Sequence, residues 1–129
     1  MVVDASVILA VILNEPEKSG IIAATQGGLL LAPGCLSWEV GNAFSAMLKT
    51  RRLRVEEALA GLDIFERIPV RESAVDLKAA LKLSHKHQIY AYDAYYVEVA
   101  RRGNLPLLTL DRKMAEVAGK EAVELKRIP

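Results

Sequence analysis

Two apolar runs in the sequence each end on an aspartate. The chain opens with "MVV" followed by Asp4, and "PLLTL" near the other end is followed by Asp111. Short apolar runs of this kind are typical of strands in a parallel sheet, because helices cover both faces of such a sheet. In open α/β sheets, ligands bind beyond the carboxyl ends of the strands. The pattern therefore predicts that Asp4 and Asp111 point into one crevice at that edge.

The rest of the chain alternates helical periods with short β-rich runs. The predicted strands are 1–4, "LLLAP", a possible edge strand "RIPV", "PLLTL" and a possible closing strand "AVELKRI". The predicted helices are 5–13, 16–26, 37–51, 55–66, 74–87, 92–102 capped by Gly103, and a short one after Asp111. Strands separated by helices imply parallel pairing with right-handed crossovers. We predict a single α/β domain over residues 1–129, a three-layer α/β/α sandwich with a central, mainly parallel sheet.

Composition excludes several classes of protein. Seventeen basic and 16 acidic residues leave a net charge of +1, so bulk basicity of the histone kind is absent. The single cysteine, Cys35, has no partner for an internal disulfide. No apolar stretch approaches the roughly 20 residues of a membrane span, and "VILAVIL" indicates a core helix. We therefore expect a soluble, cytoplasmic protein without a membrane role.

Two further acids lie at unusual positions within predicted helices. In "SWEVGNAF", Glu39 and Asn42 are three residues apart and share a helix face that borders an apolar stripe. In "YAYDAYYVEVA", Asp93 shares a face with Tyr96 and Val97, which directs the carboxylate inward. An inward acid needs a partner, because an unpaired buried charge is costly.

Each acid also has an ordinary structural interpretation. Asp4, Asp93 and Asp111 are residues favoured at helix N-caps, and Glu39 would be a solvated surface acid. Taken together, four acids at two strand ends and two inward helix positions are hard to obtain from unrelated capping. The joint pattern favours a shared site.

The motifs "VVDASV", "WEVGNAF", "YDAYYVEVA" and "LLTLD" resemble the PIN-domain family, and the chain's length is similar to that of VapC-type toxins of toxin–antitoxin pairs. The resemblance covers essentially the whole chain. It assigns the family's acidic positions to Asp4, Glu39, Asp93 and Asp111, and its supporting polar positions to Ser6, Asn42 and Thr109.

The resemblance implies a divalent-metal-dependent endoribonuclease that is silenced by a partner antitoxin and forms a homodimer. The acids suit this chemistry, because Mg²⁺ and Mn²⁺ prefer oxygen ligands and compensate clustered carboxylates. Asp4, Asp93 and Asp111 would be ligands, direct or through water. Glu39 would bind a second metal or act as a base, and Ser6, Asn42 and Thr109 would orient the carboxylates.

The densest basic run, "KTRRLR", contains Arg51, Arg52 and Arg54. It is either a solvated helix end or an edge that tracks RNA phosphates. Two other readings of the whole chain stay open, an RNA-processing nuclease without an antitoxin and a catalytically silent interaction module. A dinucleotide-binding protein is disfavoured, because "DASVIL" lacks a glycine-rich turn after the first strand.

Overall fold

The central sheet contains four short strands that all run parallel, in the order β3-β2-β1-β4. The computed structural model describes residues 1–129. The strands are β1 (Val2–Val3), β2 (Leu30–Pro33), β3 (Val70–Ser73) and β4 (Leu107–Leu108). In register, Val2 pairs with Leu107 and Val3 with Leu108, so the residues after β1 and β4 emerge side by side. This confirms the α/β class and the parallel sheet.

Seven helices connect and follow the strands: α1 (Ala5–Ile12), α2 (Lys18–Thr25), α3 (Cys35–Lys49), α4 (Val55–Arg67), α5 (Leu77–His87), α6 (Ala91–Gly103) and α7 (Arg112–Lys120). Helices α2, α3 and α4 each pack against α1 or against one another, whereas α6 packs against α5, α7 and three of the strands. This gives the predicted layers of helices around the sheet. No helix is both long and apolar enough to cross a bilayer.

Several predicted boundaries differ from the structure, and three of the differences have a clear local reason. The predicted edge strand "RIPV" is present as β3, but it begins only at the last residue of that run, Val70, and continues to Ser73, because Pro69 has no backbone N–H to donate to a ladder. Helix α5 begins three residues later than predicted, because Asp76 caps it by accepting from the backbone N–H of Ala79 at 3.1 Å. Helix α6 includes Gly103 and is capped instead by Asn104, which takes the left-handed conformation that Asn tolerates. The segment "AVELKRI" adds only one bridge, from Leu107 to Leu125.

Strands β1 and β4 are completely buried and lie at the centre of one hydrophobic core. Helix α6 contributes five residues to this core between Ala94 and Ala100, as many as α1 or α3. The one charged residue in that stretch, Glu98, is 3% exposed and is ion-paired with Arg102 at 2.7 Å. Its other oxygen accepts from the backbone N–H of Asp76 at 3.1 Å, which ties the start of α5 to α6.

Candidate active site

Asp4 lies between the end of β1 and the start of α1 and is only 3% exposed. Its Oδ1 accepts from the Ser6 hydroxyl at 2.6 Å and from the backbone N–H of Val7 at 3.2 Å, so it caps α1. Its Oδ2 accepts from the Thr109 hydroxyl at 2.7 Å. A carboxylate offers about four lone-pair positions, so one position on Oδ2 stays free.

The two hydroxyls that hold Asp4 also join the ends of β1 and β4. Ser6 Oγ accepts from the backbone N–H of Leu110 at 3.0 Å. Thr109 Oγ1 accepts from the backbone N–H of Asp111 at 2.9 Å. Both hydroxyls therefore donate to Asp4 and accept from the chain segment that carries Asp111. The parallel register of β1 and β4 makes this arrangement possible, because it places Thr109 beside Asp4.

Asp111 occupies the equivalent position after β4. It caps α7, with Oδ1 accepting from the backbone N–H of Met114 at 3.0 Å, and its other oxygen makes no hydrogen bond within the protein. The N-cap interpretation is therefore correct for both Asp4 and Asp111. It does not exclude a site, because each carboxylate keeps acceptor capacity beyond the cap.

Asp93 and Glu39 are neither caps nor fully solvated acids. Helix α6 is capped at Tyr90, so Asp93 lies in the first turn, and its side chain makes no hydrogen bond within the protein. Glu39 lies in the second turn of α3, half-buried, where its Oε1 accepts weakly from the Cys35 thiol at 3.5 Å. The capping alternative for Asp93 and the surface alternative for Glu39 are therefore wrong.

The four acids are close enough to perturb one another electrostatically. Burial raises the pKa of Asp4, hydrogen bonds from Ser6, Thr109 and Val7 oppose that rise, and the charge of Asp111 adds to it. Burial also raises the pKa of Asp93, with further contributions from Asp111 and Asp4. For Glu39, burial again raises the pKa most, and the charges of Asp93 and Asp4 add to the rise. The carboxylates therefore form one mutually repelling cluster.

No cation of the protein neutralises this cluster. The other buried acids are paired: Glu98 with Arg102, and Glu121, whose side chain is 5% exposed, with Lys86, Arg101 and His87. None of Asp4, Glu39, Asp93 and Asp111 forms an ion pair. The side chains do not present a closed set of three or more ligands for a metal ion. An open, oxygen-only, uncompensated cluster nevertheless fits a hard cation such as Mg²⁺, which keeps several of its waters.

Two groups of predicted residues lie apart from the acids. Asn42 is exposed and makes no hydrogen bond to any of them. The run with Arg51, Arg52 and Arg54 follows the end of α3, and Lys49 is about 15 Å along the helix axis from Glu39. Arg52 pairs with Glu15 at 3.6 Å, and Arg54 caps α4 and pairs with Glu57 at 3.2 Å. This placement favours the solvated-helix interpretation of the run.

Two residues next to the acids were not predicted from the sequence as part of the site. Arg112 follows Asp111 in the first turn of α7, is exposed and forms no ion pair. A positive charge at a helix N-terminus interacts unfavourably with the helix dipole, so this position of Arg112 could have indicated a functional role from the sequence alone.

Tyr96 was identified only as a neighbour of Asp93 on one helix face, yet its hydroxyl is buried beside Glu39. Burial of that hydroxyl could not be deduced from spacing.

Comparison with known proteins identifies the family. The PIN domain family matches residues 1–120, and the chain therefore belongs to the PIN-domain family. Ribonuclease VapC3 of Pyrobaculum aerophilum is 35% identical over 121 residues, which are 90% of this chain and 92% of that protein. Ribonuclease VapC1 of Mycobacterium tuberculosis is 31% identical over 128 residues, covering 92% of this chain and 90% of the relative.

Solved structures agree on the fold. PAE2754 from Pyrobaculum aerophilum superposes with a TM-score of 0.66 at 24% identity, covering 94% of this chain and 95% of its own. Mycobacterium tuberculosis VapC20, described as a Sarcin-Ricin loop cleaving toxin, gives a TM-score of 0.67 at 15% identity and covers 99% of this chain and 98% of its own. At these identities the two structures support the fold alone.

Proposed function

We propose that this chain is an endoribonuclease that hydrolyses RNA phosphodiester bonds with the help of a bound divalent cation, Mg²⁺ or Mn²⁺. The main observation behind the proposal is that some acids of this chain are paired with basic side chains and others are not. The buried acids Glu98 and Glu121 are matched by basic side chains, whereas the cluster at the ends of β1 and β4 has no counter-charge. An external cation is the natural compensation for such a cluster. The relatives named Ribonuclease VapC support RNA as the substrate.

In this proposal Asp4, Asp93 and Asp111 hold the cation, either directly or through water. When bound, such a cation polarises a phosphoryl oxygen and lowers the pKa of water. Asp4 offers the free position on Oδ2, and Asp111 offers the oxygen that does not cap α7. The hydroxyls of Ser6 and Thr109 fix the orientation of Asp4 and favour its ionised form, since both donate to it.

Glu39 has a different role because of its environment. Burial raises its pKa toward the range in which a carboxylate accepts a proton efficiently. We assign Glu39 either to accepting the proton of the attacking water at its carboxylate or to holding a second cation. It is well placed for the first role, because Oε1 is occupied only by the weak thiol donor of Cys35.

The biological part of the proposal is a toxin of a toxin–antitoxin pair, acting in the cytoplasm and restrained by an antitoxin. It is supported by the VapC names of the relatives and by the shared fold with a protein described as a toxin. A homodimer belongs to the same proposal.

The test is cleavage of single-stranded RNA with Mg²⁺ or Mn²⁺, with EDTA as the metal-free arm. We expect wild-type cleavage only with the cation, and we expect Asp4→Asn and Asp111→Asn to lower the rate by more than the roughly 10–100-fold that loss of a supporting residue costs. Asn caps a helix about as well as Asp, so both helices should survive the substitutions. Induced expression should arrest growth for the wild type and not for Asp4→Asn.

A matched control is Asp76→Asn. Asp76 caps α5 through the same type of contact, at 3.1 Å from Ala79, but is exposed and distant from the cluster. Its variant should cleave RNA at the wild-type rate. Cleavage that continues in EDTA, or equal rates for Asp4→Asn and Asp76→Asn, would refute the proposed mechanism.

A further inference from the structure

The hydroxyl of Tyr96 is the one buried side-chain polar atom of the chain that has no hydrogen-bond partner. Tyr96 is 0% exposed and packs in the core from the middle of α6. An unpaired buried hydroxyl destabilises the folded state, and phenylalanine would fill the same space without that cost. The hydroxyl therefore requires an explanation beyond packing.

The titratable groups that act on this hydroxyl belong to the acidic cluster or adjoin it. They are the carboxylates of Glu39 and Asp4 and the thiol of Cys35. Tyr96 also lies one helical turn after Asp93 on α6. The helices α3 and α6 come together at this place, since the rings of Trp38 and Tyr92 are 6.4 Å apart. The hydroxyl thus lies where the helix carrying Glu39 meets the helix carrying Asp93.

Toward an ionised carboxylate the phenol can act only as a donor, because the carboxylate has no proton to give. A phenol carries its proton near neutral pH in any case, and burial, followed by the charges of Glu39 and Cys35, raises the pKa of Tyr96 further. The proximity of Tyr96 opposes the rise that burial causes in the pKa of Glu39. The hydroxyl makes no hydrogen bond to Glu39 in the structure, and the half-buried Glu39 side chain would have to reorient to accept one.

We propose that Tyr96 is a positioning residue for Glu39: its hydroxyl donates to the Glu39 carboxylate and holds it toward Asp4 and Asp93 when the cation is bound. The inference rests on the proposed metal-dependent function. It explains why a tyrosine, rather than a phenylalanine, occupies a fully buried position next to a repelling cluster. A donor fixed in the core orients a ligating carboxylate in the way that outer-shell groups of metal sites do.

The test compares Tyr96→Phe with the wild type in Mn²⁺ titrations followed by thermal melts, and in steady-state RNA cleavage. We expect Tyr96→Phe to melt in EDTA at the wild-type temperature or slightly above, since it loses only an unpaired hydroxyl. We expect its Mn²⁺ affinity and its kcat to fall by about 10-fold or more, with KM for RNA unchanged. A residue that serves packing alone would change neither the Mn²⁺ affinity nor the split between kcat and KM.

Two further variants sharpen the result. Tyr95→Phe removes the same atom one residue earlier, from a half-buried side chain of the same helix, and should bind Mn²⁺ as the wild type does. In a Glu39→Gln background, adding Tyr96→Phe should have little further effect, because the group that Tyr96 positions is already lost.

Mn²⁺ affinity of Tyr96→Phe within twofold of wild type, or an undiminished effect of Tyr96→Phe in the Glu39→Gln background, would overturn the inference while leaving the metal-dependent nuclease intact. Absence of any Mn²⁺ effect on the wild type would instead refute the proposed function and the inference together.

Discussion

Replacing Thr109 with valine would test how the acidic site is held together. Valine has nearly the shape of threonine but lacks the hydroxyl, which donates to Asp4 Oδ2 at 2.7 Å and accepts from the backbone N–H of Asp111 at 2.9 Å. The substitution therefore removes the one side chain that links Asp4 directly to the backbone of Asp111. Helices and strands need not change, because β4 ends at Leu108.

The magnitude follows from the two lost contacts. A hydrogen bond to an ionised group contributes about 1.5–3 kcal/mol, and a backbone N–H left without its partner costs about 1 kcal/mol more when it is partly buried. We therefore expect a loss of about 2–4 kcal/mol near neutral pH. For a chain of 129 residues the entropy of unfolding implies a fall of about 7–15 °C in melting temperature.

The effect should also depend on pH with a definite sign. Burial raises the pKa of Asp4 in the folded protein, and the hydroxyl of Thr109 opposes that rise. When folding raises the pKa of a carboxyl group, ionisation of that group destabilises the folded state. This destabilisation is absent below the ordinary pKa of about 3.9 and grows as the pH rises through the pKa of the folded protein. Without Thr109 the folded pKa rises further, so the stability gap between variant and wild type should widen from pH 4 toward pH 7.

Thermal or urea unfolding in EDTA at a series of pH values measures both expectations. Thr50→Val is the matched control, because Thr50 is exposed at the end of α3 and its hydroxyl donates only to the backbone, at 3.1 Å from the oxygen of Ala46. That variant should lose less than about 1 kcal/mol, with no dependence on pH in this range. A Thr109→Val loss as small as the control's, or one that is constant between pH 4 and 7, would refute the view that this hydroxyl stabilises an ionised Asp4.

Two further outcomes test the metal ligands and the RNA contacts. Asp93→Asn should melt in EDTA at or above the wild-type temperature, because the substitution removes charge from a repelling cluster. At a hundredfold excess over Kd, Mn²⁺ should stabilise the wild type by about 2.7 kcal/mol, and the variant should lose most of that gain. An equal Mn²⁺-induced shift in melting temperature for both proteins would remove Asp93 from the site. The double variant Arg51→Ala with Arg52→Ala should leave the salt dependence of RNA binding unchanged. Arg112→Ala, beside Asp111, should instead reduce the slope of log K against log salt concentration by about 0.7. Binding titrations across salt concentrations measure both slopes, and the opposite ranking would restore the basic run as the RNA surface.

The positions of Asp4 and Asp111 could be predicted from the sequence because they depend only on the order and direction of the strands. An apolar run that ends on an acid, repeated in a parallel sheet, places both acids at one edge whatever the exact strand lengths. The strands proved shorter than predicted, two residues each for β1 and β4, without moving either acid from that edge. Boundaries failed where a local cap or a proline decided them, as at Asp76 and Pro69.

Side-chain partners were less predictable than positions. Ser6 and Thr109 were assigned a supporting role from the family resemblance, and both contact Asp4, whereas Asn42 was assigned on the same basis and points to solvent. Nothing in helical spacing distinguishes these cases, since orientation depends on how α3 packs against its neighbours. Tyr96 was overlooked for the same reason, because only packing reveals that its hydroxyl is buried without a partner.

The two interpretations of the aspartates at the strand ends, helix cap and metal ligand, are compatible rather than competing. In both Asp4 and Asp111 one oxygen accepts from a backbone N–H of the following helix, at 3.2 and 3.0 Å. That bond leaves acceptor capacity on the second oxygen, which accepts only from Thr109 in Asp4 and makes no hydrogen bond in Asp111. In the proposed function, capping would therefore also orient these carboxylates toward the cation. An asparagine variant separates the two roles, because it preserves the cap while removing the charge that a cation requires.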